Sequence, residues 1–280
     1  MNPWIVSLFW LSVILLGYTF IGYPLMIWAA GWFKRTRLDR EAWNKPISVL
    51  LVAHNEASRL ARKLDSIFAA DCQSQICEVI VASDGSTDDT ATVVEAYPDD
   101  RVRLVAFPER RGKPACLNEL IPQCAAEVIV LTDARQELDP AAIGKLCESF
   151  ADVRVGVASG ELVFRYPDTT SAAARGIGAY WRYEKFIRKC ESRFRSVPGA
   201  TGAFYAIRRN IFQPIPAETI LDDVAIPLRL VARGYHCTFD SEAVAYDEPS
   251  QTHEQESIRK RRTIAGCLQL IQQSPEWLNP

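Results

Sequence analysis

The first 33 residues, Met1 to Phe33, contain no charged side chain, and from Trp4 to Trp32 the sequence is apolar almost throughout. Within hydrocarbon every backbone N–H and C=O must find its partner inside the segment, which a helix provides. About 20 apolar residues are enough to cross a bilayer, so residues 1–33 predict a transmembrane anchor. A signal peptide would lead with basic residues and carry a shorter apolar run, and neither is present. Gly17, Gly22 and Pro24 predict that the last part either kinks or lies at the interface with Trp28 and Trp32 among the headgroups. Residues 34–46 form a basic juxtamembrane linker with Lys34, Arg35, Arg37 and Arg40. The positive-inside bias then places all that follows on the cytosolic face of the cell's inner membrane.

Composition narrows the rest. The chain has 280 residues, of which 48% are hydrophobic and 24% charged. It can therefore bury an ordinary globular core. Its 32 basic and 34 acidic residues give a net charge of -2, which argues against a nucleic-acid partner. The eight cysteines form no CxxC pair, and most sit in apolar stretches, as reduced thiols of a cytosolic domain would. His54, His236 and His253 are too dispersed for a zinc site. His253 could join a metal or phosphate site, but a surface histidine is the simpler reading.

From Ile47 short Val- and Ile-rich runs alternate with segments of helical spacing. The pattern predicts strands at Ile47–Val52, Val79–Ala82, Val102–Ala106 and Val128–Thr132. Helices are predicted near Arg59–Ala69, Thr87–Ala96, Ala115–Ala125 and Ala141–Phe150. Such alternation implies an α/β fold, a mostly parallel sheet covered on both faces, with ligands beyond the carboxyl ends of the strands. No repeat or low-complexity linker divides residues 47–280, so one globular domain follows the anchor.

Polar motifs gather at those strand ends: His54-Asn55-Glu56, Asp84-Gly85-Ser86-Thr87-Asp88 and Asp133-Ala134-Arg135. Each also has a purely structural explanation. Ser86 or Thr87 could cap a helix whose first turn favours Asp88 and Asp89. Arg110-Arg111-Gly112-Lys113 could hold a diphosphate on backbone N–H groups, or be a solvated basic turn; it does not match the P-loop pattern. Asp133, directly after a buried strand, offers the hard oxygen ligand that a phosphate-bound divalent cation wants. Asp222-Asp223 opens an apolar helix, where the helix dipole alone would favour acids and where one of them could also act as a general base. A dinucleotide oxidoreductase is disfavoured, because the first strand runs into His54-Asn55-Glu56 with no GxGxxG.

In combination, Val52-Ala53-His54-Asn55-Glu56, Asp84-Gly85-Ser86-Thr87-Asp88 and Gly112-Lys113 followed by Asn118 resemble the family-2 glycosyltransferases over roughly residues 47–266. This resemblance implies a GT-A fold and metal-dependent, inverting transfer of a hexose or N-acetylhexosamine from a nucleotide diphosphate. The donor would be a UDP-sugar, the cofactor Mg²⁺ or Mn²⁺, and the acceptor a saccharide or a lipid-linked molecule at the membrane. The nucleotide pocket would comprise Ala53, Asn55, Glu56, Asp84, Lys113, Asp133 and Arg262, with Asp84 at the uracil-ribose part and Asp133 on the metal. Gly199, Thr201 and Gly202 match the family's acceptor-side glycine segment, and Asp222-Asp223 its acidic pair, with Asp223 as base. Sugar-hydroxyl contacts are expected from loops such as Glu161–Arg165.

Two positions depart from that pattern. Arg135 replaces the second acid of DxD, leaving one protein carboxylate for the metal. In the family's QxxRW, Arg262 is kept while Arg259 and Thr263 replace Gln and Trp, which removes a stacking platform and argues against processive synthesis. These departures leave a catalytically weak, nucleotide-binding partner subunit of a glycan synthase as the alternative. Relatives usually continue into further membrane helices, so the sequence is expected to be truncated after its last helix-like stretch.

Overall fold

The computed structural model describes residues 3–33, 35–165, 172–248 and 253–275. The apolar segment is one long helix in two parts, α1 (Pro3–Gly17) and α2 (Tyr23–Phe33), joined by a π-helical turn over Tyr18–Gly22. The turn lies directly before Pro24, whose ring has no N–H and would press on the carbonyl four residues back. Widening the helix there lets Tyr23 N–H bond Tyr18 O, and the helix resumes as α2. The span of 31 residues is long and apolar enough to cross a membrane, and no part of its most apolar window is buried by the rest of the protein.

The globular part begins with β1 (Ile47–Ala53), α3 (Ala57–Phe68), β2 (Ile76–Asp84), α4 (Thr90–Glu95) and β3 (Val102–Phe107). It continues through α5 (Lys113–Leu120), β4 (Val128–Thr132), β5 (Glu137–Leu138), α6 (Ala142–Glu148), β6 (Val155–Phe164) and α7 (Ala172–Phe194). β7 (Phe204–Arg208), α8 (Asp222–Ala232), β8 (His236–Asp247) and α9 (His253–Gln273) complete it. One eight-stranded sheet runs β3-β2-β1-β4-β7-β6-β8-β5. The first four strands are parallel, as the alternating pattern predicts. β7 is antiparallel to both its neighbours, β6 and β8 are parallel, and β5 is antiparallel to β8, so the sheet is mixed. The segment Glu161–Arg165, expected as a loop, is largely the end of β6.

Alternation of side chains along each central strand supplies two cores. Ile47, Val49 and Leu51 share one face with Val79, Val81, Val128 and Val130, and pack on Leu60, Leu64, Ile67, Leu146 and Phe150 from α3, α6 and the turn after α6. Leu50, Ile80, Ile129 and Leu131 point the other way, onto Leu117 and Leu120 of α5 and Ile226 and Leu230 of α8. The second half of the apolar helix rests on α7. Tyr183 Oη donates to Phe20 O at 2.8 Å, Tyr23 Oη donates to Glu191, and Thr36 N–H bonds Arg193 O at 2.9 Å.

Strand direction decides where the polar motifs meet. Thr132 at the end of β4 pairs with Phe204 at the start of β7, so residues 199–203 lie beside Asp133. β6 and β8 run with β4, which brings Glu161–Phe164 and Asp247 to the same edge. Gly160 stands where the β6–β8 register shifts, and a Cβ there would lie 2.4 Å from Phe204 Cδ1 and 2.8 Å from Ala243 O. Gly160→Ala is therefore expected to cost about 1–3 kcal/mol through overpacking. Pairing it with Phe204→Leu should recover part of that loss, seen as non-additivity in a denaturant-unfolding cycle.

Candidate active site

The loop after β1 and the loop after β2 are laced together. Asn55 holds a positive φ of 56° and accepts Thr87 N–H on its side-chain oxygen at 2.8 Å, while its own N–H bonds Ser86 Oγ at 3.1 Å. Glu56 N–H bonds Thr90 Oγ1 at 2.9 Å, and Asp88 accepts N–H groups from Ala57 and Thr90. With Ser86 and Thr87 so engaged, α4 starts at Thr90 rather than at Thr87, and neither residue caps it. Ala53 is buried beneath this lacing, and the Glu56 carboxylate pairs with Arg59 at 2.8 Å.

Asp84 is 3% exposed, and its carboxylate accepts Arg111 N–H at 2.6 Å and Gly112 N–H at 2.9 Å. The backbone donors that the sequence offers to a diphosphate are thus occupied by Asp84. Gly85 makes this crossing possible: its φ is +63°, and a Cβ would lie 2.4 Å from Arg110 N. Gly112, with φ 88°, then turns the chain into α5 and aims Lys113 at the sheet edge.

Lys113 is the hub of the site. Its Nζ lies 2.8 Å from Asp133 Oδ1, 3.3 Å from Gly202 O and 3.6 Å from Asp222 Oδ2. Burial alone would lower its pKa, but Asp133, Asp222 and Asp223 together raise it well above the usual lysine range. Asp222 is buried and accepts from Tyr205 Oη at 3.3 Å. Asp223 is pushed up to about 6, first by burial and then by the neighbouring Asp222 charge, with Lys113 opposing both. The glycine segment packs on these acids: Ala200 N–H bonds Asp223 O at 2.8 Å, and a Cβ on Gly202 would lie 2.5 Å from Asp223 Oδ2. Gly199 sits against Val224, and Thr201 bonds Ser159 and Gly160 O.

Asp223 opens into a cavity of about 210 Å³ lined also by Glu161, Trp181, Lys185, Arg188 and Thr201. On the other side of Lys113, the Asp133 side chain is 41% exposed. Arg135 turns away from Asp133 and pairs with the fully buried Asp247 carboxylate, which also accepts Gln136 Nε2 at 2.9 Å. Beneath this turn Lys63 is buried and donates to Thr132 Oγ1 at 2.7 Å and Gln136 O at 2.8 Å; burial lowers its pKa to about 7. Among the described residues no group of three or more His, Cys, Asp or Glu side chains gathers to hold an ion. A single exposed carboxylate still suits Mg²⁺ or Mn²⁺, hard cations whose other ligands can be phosphate and water oxygens.

The structure thus brings together Lys113, Asp133, Asp222, Asp223, Gly199, Thr201 and Gly202, with Asn55, Glu56 and Asp84 in the adjoining loops. Arg262 lies on α9: it is exposed, and among the described residues its guanidinium reaches Ile220 O at 3.4 Å, on the loop before Asp222. The side chain of His253 lies outside the described residues. Sequence reading missed Lys63, Tyr205, Arg188, Trp181 and Asp247. Asp247 carried a signal in its place at the end of an alternating strand, and Trp181 and Arg188 a weaker one in their helical spacing.

A parallel β-α-β half ending in acids, continued by antiparallel strands that carry a glycine segment and an acidic pair to the same edge, defines a GT-A glycosyltransferase. The sequence model described as "Glycosyl transferase family 2" matches residues 48–215, well over half of the chain, and the protein belongs to that family. It is similar to poly-beta-1,6-N-acetyl-D-glucosamine synthase of Staphylococcus aureus, with 25% identity over 248 residues, 80% of this chain and 58% of that protein. The synthase of the same name from Staphylococcus epidermidis shares 24% identity over 71% of this chain and 49% of its own length. The chain therefore spans about half to three fifths of the curated relatives it matches. Among solved structures it resembles a mannosyltransferase from Pyrobaculum calidifontis in complex with GDP-Man and Mn²⁺, at TM-score 0.71 and 25% identity, covering 88% of this chain and 71% of that one. Glucosyl-3-phosphoglycerate synthase from Mycobacterium tuberculosis shares the fold at TM-score 0.52 and 22% identity, covering 83% of this chain and 87% of that one, and has been solved with UDP and Mn²⁺ or Mg²⁺.

Asp223 also links the site to stability. A carboxyl whose folded pKa is raised contributes stability that is present below its unfolded value and lost as pH rises through about 6. Asp223→Asn should therefore be more stable than wild type at pH 8, by about 1–3 kcal/mol, with the difference fading toward pH 4. Thermal unfolding at pH 4, 6 and 8 measures this.

Proposed function

We propose that the chain is an inverting, metal-dependent glycosyltransferase. It transfers a hexosyl or N-acetylhexosaminyl group from a UDP-sugar to an acceptor hydroxyl at the cytosolic face of the membrane, to which residues 1–33 anchor residues 47–280. The observation that carries this reading is the Asp223 carboxylate, half-buried, raised to about 6 and open to a cavity, one residue from the Asp222–Lys113–Asp133 cluster. A general base works best with a pKa near the working pH, and burial beside a like charge produces that.

In a single displacement the acceptor oxygen bonds the anomeric carbon as the bond from that carbon to the diphosphate oxygen breaks. Asp223 takes the acceptor proton, and the nucleoside diphosphate leaves with the electron pair. Lys113 stands where negative charge grows on the leaving group, held there by Asp133 and Asp222. Asp133 and the donor phosphates would hold Mg²⁺ or Mn²⁺, which neutralises the same charge. Ala53, Asn55, Glu56 and Asp84 border the nucleoside, with Asp84 acting chiefly by fixing the Arg111–Gly112 turn that delivers Lys113. Arg262, exposed on α9, reaches the loop just before Asp222 at Ile220 O and would meet the diphosphate from that side.

The GDP-mannose and UDP complexes of the structural relatives, together with the synthase names of the curated relatives, support a nucleotide-sugar donor and a saccharide product. Asp223→Asn is expected to lower transfer by about 10²- to 10⁴-fold, while UDP binding in Mn²⁺, measured by calorimetry, stays within twofold. Asp133→Ala should abolish the metal-dependent part of that binding. In the wild type, kcat/KM should rise with pH through about 6 as Asp223 ionises. Near-normal transfer by Asp223→Asn would refute the base assignment.

A further inference from the structure

Four residues of α7, Trp181, Glu184, Lys185 and Arg188, recur at i, i+3, i+4 and i+7, the spacing of one helix face. That face forms one wall of the Asp223 cavity, opposite Glu161 and Leu162 of β6, with Ala200, Thr201 and Gly202 beside Asp223. We infer that this cavity is the acceptor subsite, and that it takes the ring of an uncharged sugar stacked on Trp181. This rests on the base role proposed for Asp223 and deepens it by naming the acceptor class.

Two observations carry the inference. First, both cations of the cavity are committed. Lys185 Nζ lies 2.7 Å from Glu161 Oε2, and Arg188 donates to Thr201 Oγ1 at 2.8 Å, Ser159 Oγ at 2.9 Å and Gly199 O at 3.1 Å while lying over the Phe239 ring. Glu184 and Asp223 remain on the lining, so among the described residues an acceptor phosphate would meet carboxylates with no uncommitted lining cation to receive it. A desolvated, unpaired charge is the costly case, and a neutral hydroxyl-bearing ring avoids it. This favours a saccharide over a lipid phosphate as the group that reaches Asp223.

Second, Trp181 is half-buried, and its ring is steadied by Phe164 at 5.2 Å and Tyr180 at 5.8 Å between centroids. A tryptophan fixed by neighbouring rings on the wall of a polar cavity offers an apolar face to C–H bonds, while Glu161, Glu184 and Thr201 offer partners to hydroxyls. The volume of the cavity is about 210 Å³. Pockets for drug-sized ligands begin at roughly 300 Å³, so this one has the scale of one sugar ring and not of several.

The test uses the detergent-solubilised full chain with UDP-N-acetylglucosamine as donor. The acceptors are a β-1,6-linked N-acetylglucosamine trisaccharide, chitotriose and, separately, a polyprenyl phosphate. Transfer to a saccharide is expected, and Trp181→Leu should raise the acceptor KM roughly tenfold with kcat changed far less. Trp181→Phe should restore KM to within about threefold of wild type, since a smaller ring still stacks. Nucleotide affinity in Mn²⁺ should stay unchanged in both variants, which separates lost stacking from a disturbed fold. An unchanged KM in Trp181→Leu, transfer to the polyprenyl phosphate alone, or donor hydrolysis with no saccharide accepted would each overturn the inference and leave the donor reading standing. Absence of both nucleotide binding and donor turnover in the wild type would instead defeat the donor reading, and this inference with it.

Discussion

One ammonium group, Lys113, pairs with two carboxylates and faces a third where the elements of the sheet edge converge. Asp133, Asp222 and Asp223 arrive from the end of β4 and from the start of α8, far apart in sequence, and at the sheet edge their charges would repel through a partly dry medium. Lys113 meets Asp133 at 2.8 Å and Asp222 at 3.6 Å, and leaves Asp223 with the least compensation. The raised pKa of Asp223 is thus what remains of an incomplete neutralisation, and it is what fits the group to take a proton.

Lys113 in turn depends on a backbone arrangement. The Asp84 carboxylate pins Arg111 and Gly112 through two N–H groups, and Gly85 and Gly112 adopt positive φ so that the chain can cross and turn. A strongly hydrated, flexible ammonium would otherwise remain at the surface. Asp84 therefore acts on chemistry at a distance, by making the turn rigid. Its two oxygens each accept one N–H from that turn, so Asp84 builds the loop whatever else it meets.

Much of this was legible in the sequence where pattern and period agree. The Val- and Ile-rich runs from Ile47 to Thr132 foretold four parallel strands, and the acids following them marked the edge where a ligand belongs. The antiparallel half was not legible, because its order depends on pairing across long sequence separations that leave no periodic trace. The 23-residue α7 escaped for another reason: its face toward the cavity is aromatic and charged, so its hydrophobic spacing is weak although the 181-184-185-188 spacing is present. Lys63 was hidden inside an otherwise apolar helix face. Its ammonium reaches Thr132 and Gln136 only because the turn after β4 folds over it.

Arg135 shows why a missing motif residue need not mean a missing function. On sequence alone it reads as a lost metal ligand. In the structure its guanidinium neutralises Asp247, whose carboxylate is fully buried at the end of β8 and also holds Gln136. An acid at position 135 would face that buried charge without a cation, a costly arrangement. Arg135 and Asp247 are therefore one unit, which ties the turn after β4 to the far half of the sheet. The exposed carboxylate of Asp133 is held in register by that unit on one side and by Lys113 on the other, and a donor's own phosphate oxygens can complete the shell of a cation there.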